Sequence, residues 1–320
     1  MNPRLEFTSR LATRLVQFLA FKRLQGYDYT AAAYVLGRFD TFLAKRGGAG
    51  EGLGAEDLEA YRAQLKGLQR ATQFGRLSIV RQFSLYLHAL WAPSAVLPRT
   101  LSPRQPRAIR FCPLQPAQIA DLMAAPVRGK GGHAIRADDL RFLIGLLYTT
   151  GLRISEALAL NLGDVDQQQA TLFVRRGKFG KERLVPLSPS TLTALREWLA
   201  HREGLADNAP SAPLFLAGWN RRPNGSQTAQ AFRRLCRRCG VTGDPPPRLH
   251  DLRHNYACRC LARWRAAGED VDALLPVLAN VMGHVDFHAT EVYIHLEAAA
   301  LRQAALKFHN HIHPHTESAP

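Results

Sequence analysis

Residues 282–295 read Met282-Gly283-His284-Val285-Asp286-Phe287-His288-Ala289-Thr290-Glu291-Val292-Tyr293-Ile294-His295. A Gly-His pair stands ahead of a lone tyrosine, and an Ile-His pair follows it. In isolation Tyr293 reads as a half-buried packing residue, because a phenol is large, amphipathic and a weak nucleophile at its ordinary pKa. The reading of this stretch, and with it the fold, turns on whether the rest of the chain supplies the cations and proton carriers that a nucleophilic tyrosine requires.

Working outward, the segment Arg248-Leu249-His250-Asp251-Leu252-Arg253-His254-Asn255-Tyr256-Ala257 follows three prolines and reads as a helix start. His250 and Arg253 are three apart and share a helix face. His250 and His254 have the spacing of a zinc pair, but no glutamate base or third ligand accompanies them. Further upstream lies Gly151-Leu152-Arg153-Ile154-Ser155-Glu156, directly after the apolar helix predicted over 138–149. Arg153 sits between apolar neighbours, so partial burial is expected, and burial demands a partner. Glu156 is within reach on the same face. Two readings stand, a structural Arg–Glu pair and a guanidinium fixed toward a phosphate.

Between these segments, 170–174 and 183–187 read as short strands joined through Gly177-Lys178-Phe179-Gly180-Lys181-Glu182. Lys178 stands on that turn, either as a solvated lysine or as an ammonium presented to a ligand. A basic helix predicted over 227–239 carries Arg233 and Arg234 and faces either a polyanion or solvent. Residues 271–282 and Glu297–Phe308 read as further helices, and the histidines of 309–315 as a disordered end.

The first half is helical. Leu11, Leu15, Phe18 and Leu19; Val35, Phe39, Phe42 and Leu43; Leu58, Tyr61 and Leu65; and Val80, Phe83, Leu87 and Leu90 each recur at helical spacing. Four such helices make a small α-bundle. Its basic residues, among them Lys22, Arg23, Lys45, Arg46, Arg70, Arg76 and Arg81, suit either a DNA-clamping surface or solvated helix faces. A proline- and arginine-rich stretch that includes Arg107 and Arg110 reads as an extended basic linker. The expected division is a helical DNA-binding domain over 1–100, a linker over 101–112 and a catalytic domain over 113–320.

Composition narrows the partners. The 320 residues include 42 Lys and Arg against 26 Asp and Glu, a formal charge of +16. Residues 1–110 carry 17 basic and 7 acidic side chains and the remainder 25 and 19, so both parts are basic. That balance points to a polyanion, above all nucleic acid. No apolar run reaches the length of a membrane span, and the N-terminus leads into no signal segment. The expectation is a cytoplasmic, nucleoid-associated protein with no membrane partner. Five cysteines, an odd number, argue for reduced thiols rather than a disulfide framework, and no metal site is expected from them.

Breaking a DNA phosphodiester without metal requires fixed cations at the nonbridging oxygens, an in-line nucleophile and a donor for the leaving oxygen. Two arginines suit the first task because each guanidinium presents a fork of donors. Arg153, Arg253, Lys178, His250, His284 and Tyr293 supply these parts.

In chain order, Gly151-Leu152-Arg153-Ile154-Ser155-Glu156, Gly177-Lys178 through Lys181-Glu182-Arg183-Leu184-Val185-Pro186-Leu187, His250-Asp251-Leu252-Arg253-His254, Gly283-His284 and Tyr293-Ile294-His295 resemble the tyrosine recombinases, the phage integrase-type site-specific recombinases. The resemblance extends over essentially the whole chain, since the helical first half is similar to that family's core-binding domain. It implies a mainly α fold with a small antiparallel β-sheet in the catalytic domain, arranged as a two-domain, C-shaped DNA clamp. It implies that Tyr293 forms a 3′-phosphotyrosine link, that Arg153 and Arg253 bind the nonbridging oxygens, and that Lys178 is the acid toward the 5′-oxygen. His250 and His284 would hydrogen-bond the phosphate or assist proton transfer at Tyr293, with Glu156 orienting the site. Lys181 would join the DNA-binding residues. No metal, ATP or other cofactor would be needed.

The implied partners are double-stranded DNA and either a homotetramer on DNA or companion recombinases, with the helix Ala298–Phe308 docking on a neighbour or packing on its own subunit. Type IB topoisomerase-like nicking and resealing, or a catalytically inactive DNA-binding relative, are the alternatives. One departure stands out: the segment from Arg253 to His284 is longer than the family's usual connection.

Overall fold

The computed structural model describes residues 6–27, 29–48, 50, 52–90, 94–98, 111–126, 135–175, 182–202, 207–284, 290 and 293. Lys178, Lys181, Arg107, Arg110, most of the 101–112 linker, the helix expected over 298–308 and the histidine-rich end lie outside these residues. The described chain is mostly helical with a small three-stranded antiparallel sheet, and it divides into two compact units, Met1–Arg107 and Ala108–Pro320.

The first unit holds α1 (Ala12–Leu24), α2 (Thr30–Arg46), α3 (Ala55–Gln64) and α4 (Arg70–Leu90). Leu15, Phe18, Leu36, Phe39, Leu43, Leu58, Tyr61, Val80, Phe83 and Leu87 meet in one core. The expected stripes are present with two adjustments. Leu36 rather than Val35 is buried on α2, because the core-facing stripe is centred one residue later. Leu90 is exposed, because α4 ends there beyond the core. Buried Asp40 accepts from the backbone N–H groups of Thr8 (2.7 Å) and Ser9 (3.0 Å) and so ties the chain ahead of α1 to α2.

The second unit is built on α6 (Ala137–Thr150). Its Leu140, Leu143, Ile144, Leu146 and Leu147 are buried because α5 (Pro116–Ala124), α8 (Pro189–Arg202) and α10 (Leu249–Ala266) pack against it. The helix α7 (Ile154–Ala159) follows almost at once. Strands β1 (Val165–Asp166), β2 (Thr171–Val174) and β3 (Arg183–Pro186) pair in sequence order, with Leu172 opposite Val185 and Val174 opposite Arg183. That register places Arg183 at the start of β3, opposite the last residue of β2.

α9 (Gly225–Arg238) buries Phe232, Leu235 and Cys236 and exposes Arg233, Arg234 and Arg237. Its N-cap is Asn224, whose side chain accepts from the N–H groups of Ser226 and Gln227. The long segment after Arg253 forms the rest of α10 and then α11 (Val271–Met282). Ala257 and Leu261 of α10 pack with Leu275, Leu278 and Met282 of α11 and with Tyr293. The segment from Arg253 to His284 is therefore an ordered helical hairpin packed beside Tyr293. Among the described residues, no helix is long and apolar enough to cross a membrane.

Candidate active site

The site is organised on the C-terminal end of α11. The last carbonyls of a helix have no partner within it and lie at the negative end of its dipole. Here three consecutive carbonyls each accept from a different arginine. Arg183 Nε donates to Val281 O (2.8 Å), Arg253 Nη2 to Met282 O (2.8 Å) and Arg153 Nη2 to Gly283 O (2.8 Å). Arg253 also donates through Nη1 to Gly151 O at 2.6 Å, which links the end of α6 to the end of α11.

Two glycines make this convergence possible. Gly151 and Gly283 end α6 and α11 in left-handed conformations, at φ 65° and 68°, which glycine adopts without a Cβ penalty. Both also lack room for a side chain. A Cβ at Gly151 would stand 2.3 Å from the Tyr256 ring, and one at Gly283 would stand 2.6 Å from the Arg183 guanidinium.

Glu156 holds two of the arginines from the other side. Its Oε1 accepts from Arg153 Nη1 (2.7 Å) and Arg183 Nη1 (3.1 Å), and its Oε2 accepts from Arg183 Nη2 (2.8 Å) and the Arg153 backbone N–H (2.9 Å). The same carboxylate thus caps α7 and bridges two guanidinium groups. Burial alone would raise its pKa, but the hydrogen bonds from Arg183 and from the Arg153 backbone, with the Arg183 charge, hold it at about 2. The carboxyl pKa is depressed in the fold, so its stabilising contribution is present in full above the ordinary value of 4.5 and is lost as pH falls toward 2. Glu156→Gln removes the buried anion and leaves two half-buried cations facing a neutral amide. The expected loss is about 3–5 kcal/mol of unfolding free energy at neutral pH, by analogy with other broken buried pairs. Urea denaturation measures it, and a midpoint equal to that of the unaltered protein would refute the bridging role.

Arg253 is buried to 2% exposure. Burial and the neighbouring Arg153 charge lower its pKa to about 10, so it remains a cation at neutral pH. Tyr293 is likewise 2% exposed. Burial raises its phenol to about 12 against the opposing pull of Arg253, so the hydroxyl is protonated at rest. The His284 ring lies parallel to that of Tyr293 at 6.3 Å and 9°, and its Nδ1 bonds Thr290 Oγ1 at 2.7 Å. Burial, with the charges of Arg253, Arg153 and Arg183, lowers His284 to about 4. His254 Nδ1 is 3.0 Å from the Tyr293 hydroxyl. His250 is exposed and sets its ring edge-to-face against His254, with centroids 4.7 Å apart.

The structure therefore gathers Arg153, Glu156, Arg253, His250, His284 and Tyr293. It adds Arg183 and His254, which carry no assigned role in the sequence reading. The signal for His254 was its place beside Arg253 and four residues after His250. The signal for Arg183 was its position at the end of the hairpin. Of the residues expected to bind DNA, Arg23, Lys45 and Arg70 are exposed on the first unit, and Arg233 and Arg234 on α9. Arg76 and Arg81 are half-buried on α4. Arg46 Nε bonds Asp57 (3.1 Å), and Lys22 stands among the rings of Phe18, Phe21, Tyr27 and Tyr29.

Chemically, the arrangement offers two fixed guanidinium groups, a protonated phenol and neutral imidazoles in one place, which is equipment for phosphoryl transfer to a tyrosine. Comparisons with known proteins agree. The model of the phage integrase family matches residues 113–300. y4rB of Sinorhizobium fredii, a protein named as an integrase/recombinase, is 35% identical over 68% of this chain and 72% of its own. The tyrosine recombinase XerC of Herpetosiphon aurantiacus is 30% identical over 88% of this chain and 90% of its own. Among solved structures, the integrase of transposon Tn1549 in complex with transposon right end DNA has a similar fold (TM-score 0.63, 16% identity, 93% of this chain and 99% of that one). XerH bound to a palindromic difH substrate does too (TM-score 0.61, 21% identity, 86% and 78%).

Proposed function

This chain belongs to the phage integrase family of tyrosine recombinases, and from that premise we propose how its residues divide the work of cleaving and rejoining DNA. Tyr293 attacks the scissile phosphate and keeps it as a 3′-phosphotyrosine, releasing a 5′-hydroxyl. Arg153 and Arg253 hold the nonbridging oxygens, where negative charge grows as the fifth oxygen approaches phosphorus. Glu156 positions Arg153 through the shared carboxylate. His250 and His284 contact the phosphate, and Lys178 protonates the leaving oxygen. The free energy of the broken ester bond is conserved in the covalent link, so rejoining needs no ATP, and no metal takes part.

The observation that supports this reading best is the anchoring of both arginines on the end of α11, with the His284 and Tyr293 rings stacked beside it. Carbonyl contacts on one side of each guanidinium leave it oriented before substrate arrives, which is the preorganisation that electrostatic stabilisation requires.

The protein acts on double-stranded DNA in this reading. The basic first unit, with the exposed Arg23, Lys45 and Arg70, is the core-binding module, and in the second unit Arg233 and Arg234 of α9 contact phosphates. Lys22, Arg46, Arg76, Arg81, Arg107, Arg110 and Lys181 complete the set. Exchange proceeds in a homotetramer on DNA or with companion recombinases, in the cytoplasm at the nucleoid.

The test uses a duplex selected on the purified protein from a random pool and then nicked just 3′ of the cleavage point, so that the released fragment diffuses away. Incubation with EDTA present is expected to give an SDS-resistant adduct that peptide mapping assigns to Tyr293. An adduct on another residue, or one that forms only with added magnesium, would overturn the assignment. Exchange of strands between two labelled duplexes separates recombination from topoisomerase-like resealing.

A further inference from the structure

We propose that His254 is the proton acceptor for Tyr293 during strand cleavage and the proton donor that restores the phenol on religation; this rests on the reading of Tyr293 as the nucleophile.

The geometry separates the three histidines at the site. His284 has its Nδ1 engaged by Thr290 Oγ1, and its ring runs parallel to that of Tyr293 with centroids 6.3 Å apart. His250 is exposed and packs its ring edge-to-face against His254, so its own ring faces solvent and His254 rather than the phenol. His254 is buried and presents Nδ1 to the phenolic oxygen at 3.0 Å, a full-strength hydrogen bond. Its ring is fixed on three sides, by Phe111 at 5.3 Å, His250 at 4.7 Å and Tyr293 at 5.5 Å between centroids. With the ring proton on Nε2, Nδ1 has a lone pair directed at the hydroxyl, and the phenol donates to it.

Burial, then the charges of His250, Arg248, Arg253 and His284, hold the imidazole at about 3, so it carries that lone pair at neutral pH. The phenol is held near 12 and is equally neutral. The proton therefore stays on oxygen at rest, which keeps the nucleophile inactive until substrate is bound. Two changes then favour transfer. The anionic phosphate offsets the cations that depress the imidazole, and formation of the O–P bond makes the phenolic proton strongly acidic.

In the step, the phenolic O–H bond breaks and its proton passes to His254 Nδ1. An oxygen lone pair forms the bond to phosphorus. The P–O5′ bond breaks, and its electron pair leaves with the 5′-oxygen, which takes a proton from the acid assigned above to Lys178. Religation reverses each transfer, with the imidazolium returning its proton to Tyr293.

The experiment measures single-turnover cleavage of the nicked duplex by His254→Asn, His254→Ala and His250→Ala, each with tyrosine or a ring-fluorinated tyrosine of lower phenol pKa at position 293. Asparagine keeps a polar atom near the Nδ1 position but cannot carry the proton. DNA binding and thermal melting confirm that each variant is folded. His254→Asn and His254→Ala are expected to cleave about 100-fold more slowly, in the range general base catalysis contributes. The fluorinated tyrosine is expected to restore at least about tenfold of that loss in the His254 variants and to restore nothing in His250→Ala, since a more acidic phenol needs less help only where the base is missing. Wild-type rates in His254→Asn would mean that His254 only holds the phenol. Faster cleavage in His254→Ala would mean that it only restrains it. Rescue of His250→Ala instead would assign the proton to His250. Each of these outcomes overturns the proposal. Absence of a Tyr293 adduct in the unaltered protein would be a failure of the parent reading, and is seen before any variant is compared.

Discussion

Phenylalanine in place of Tyr293 is expected to abolish the covalent adduct while leaving the protein folded and bound to DNA. The substitution removes one oxygen from a ring that is packed against Ala257, Leu261, Leu275, Leu278 and Met282. The ring volume stays, so no cavity opens and the apolar contacts persist. What is lost is the hydroxyl and its hydrogen bond to His254 Nδ1. A neutral hydrogen bond contributes about 0.5–1.5 kcal/mol net, too little to unfold a unit of this size. In the proposed reaction nothing substitutes for the missing oxygen, because the attacking phenol itself forms the bond to phosphorus. Denaturing gels on the nicked duplex should therefore contain no shifted band at any incubation time, and gel-shift affinity should match the unaltered protein. A shifted band of the original mobility in the phenylalanine variant would remove Tyr293 from the mechanism.

Lysine in place of Arg253 is expected to slow cleavage by about a thousandfold, in the range lost when a preorganised donor to the developing charge is removed. Arg253 spends one donor on Gly151 O and another on Met282 O, and its planar group retains further N–H donors for a phosphate. An ammonium is a single point with three donors and cannot span both carbonyls while facing the substrate. Either the two carbonyls lose their partner, or the charge turns away from the phosphate. Unsatisfied buried carbonyls cost about 1–3 kcal/mol each, so a lower melting temperature should accompany the loss of rate. Rate measurement under single-turnover conditions, with DNA saturating, separates the catalytic defect from any weaker binding. A cleavage rate within a few fold of the original would mean that charge alone matters at this position.

The sequence made the site legible through short-range patterns. Arg153 and Glu156 were readable as partners because three residues on a helix start bring side chains together. His250 and Arg253 were readable as sharing a face for the same reason. The helical first unit was visible in its stripes, and the buried Leu15, Phe18, Phe39, Leu43, Val80 and Phe83 lie where periodicity placed them. The segment after Arg253 was visible as a helix over 271–282, which is α11, and as an excess of length, but not as a partner for arginines. In the fold it becomes the α10–α11 hairpin, whose end receives Arg183, Arg253 and Arg153. Spacing could not reveal this, because backbone carbonyls are the same at every residue and carry no signature in the sequence.

What the sequence determined by itself was the set of chemical parts and their order: two arginines able to fork, a tyrosine, histidines, and apolar stripes sufficient for two helical units. What only the tertiary structure decided was which of those parts touch. Glu156 bridges Arg153 and Arg183, which are far apart in the chain, and Arg153 reaches Gly283 across most of the second unit. Likewise, His254 rather than His250 faces the phenol, although both stand on the same helix. The physical reason is that a helix fixes neighbours only three and four residues away, whereas these contacts depend on how the end of α11 packs against α6, α7 and β3. Gly151 and Gly283 turn the chain in left-handed conformations at the ends of α6 and α11, where the Arg253 and Arg153 contacts meet.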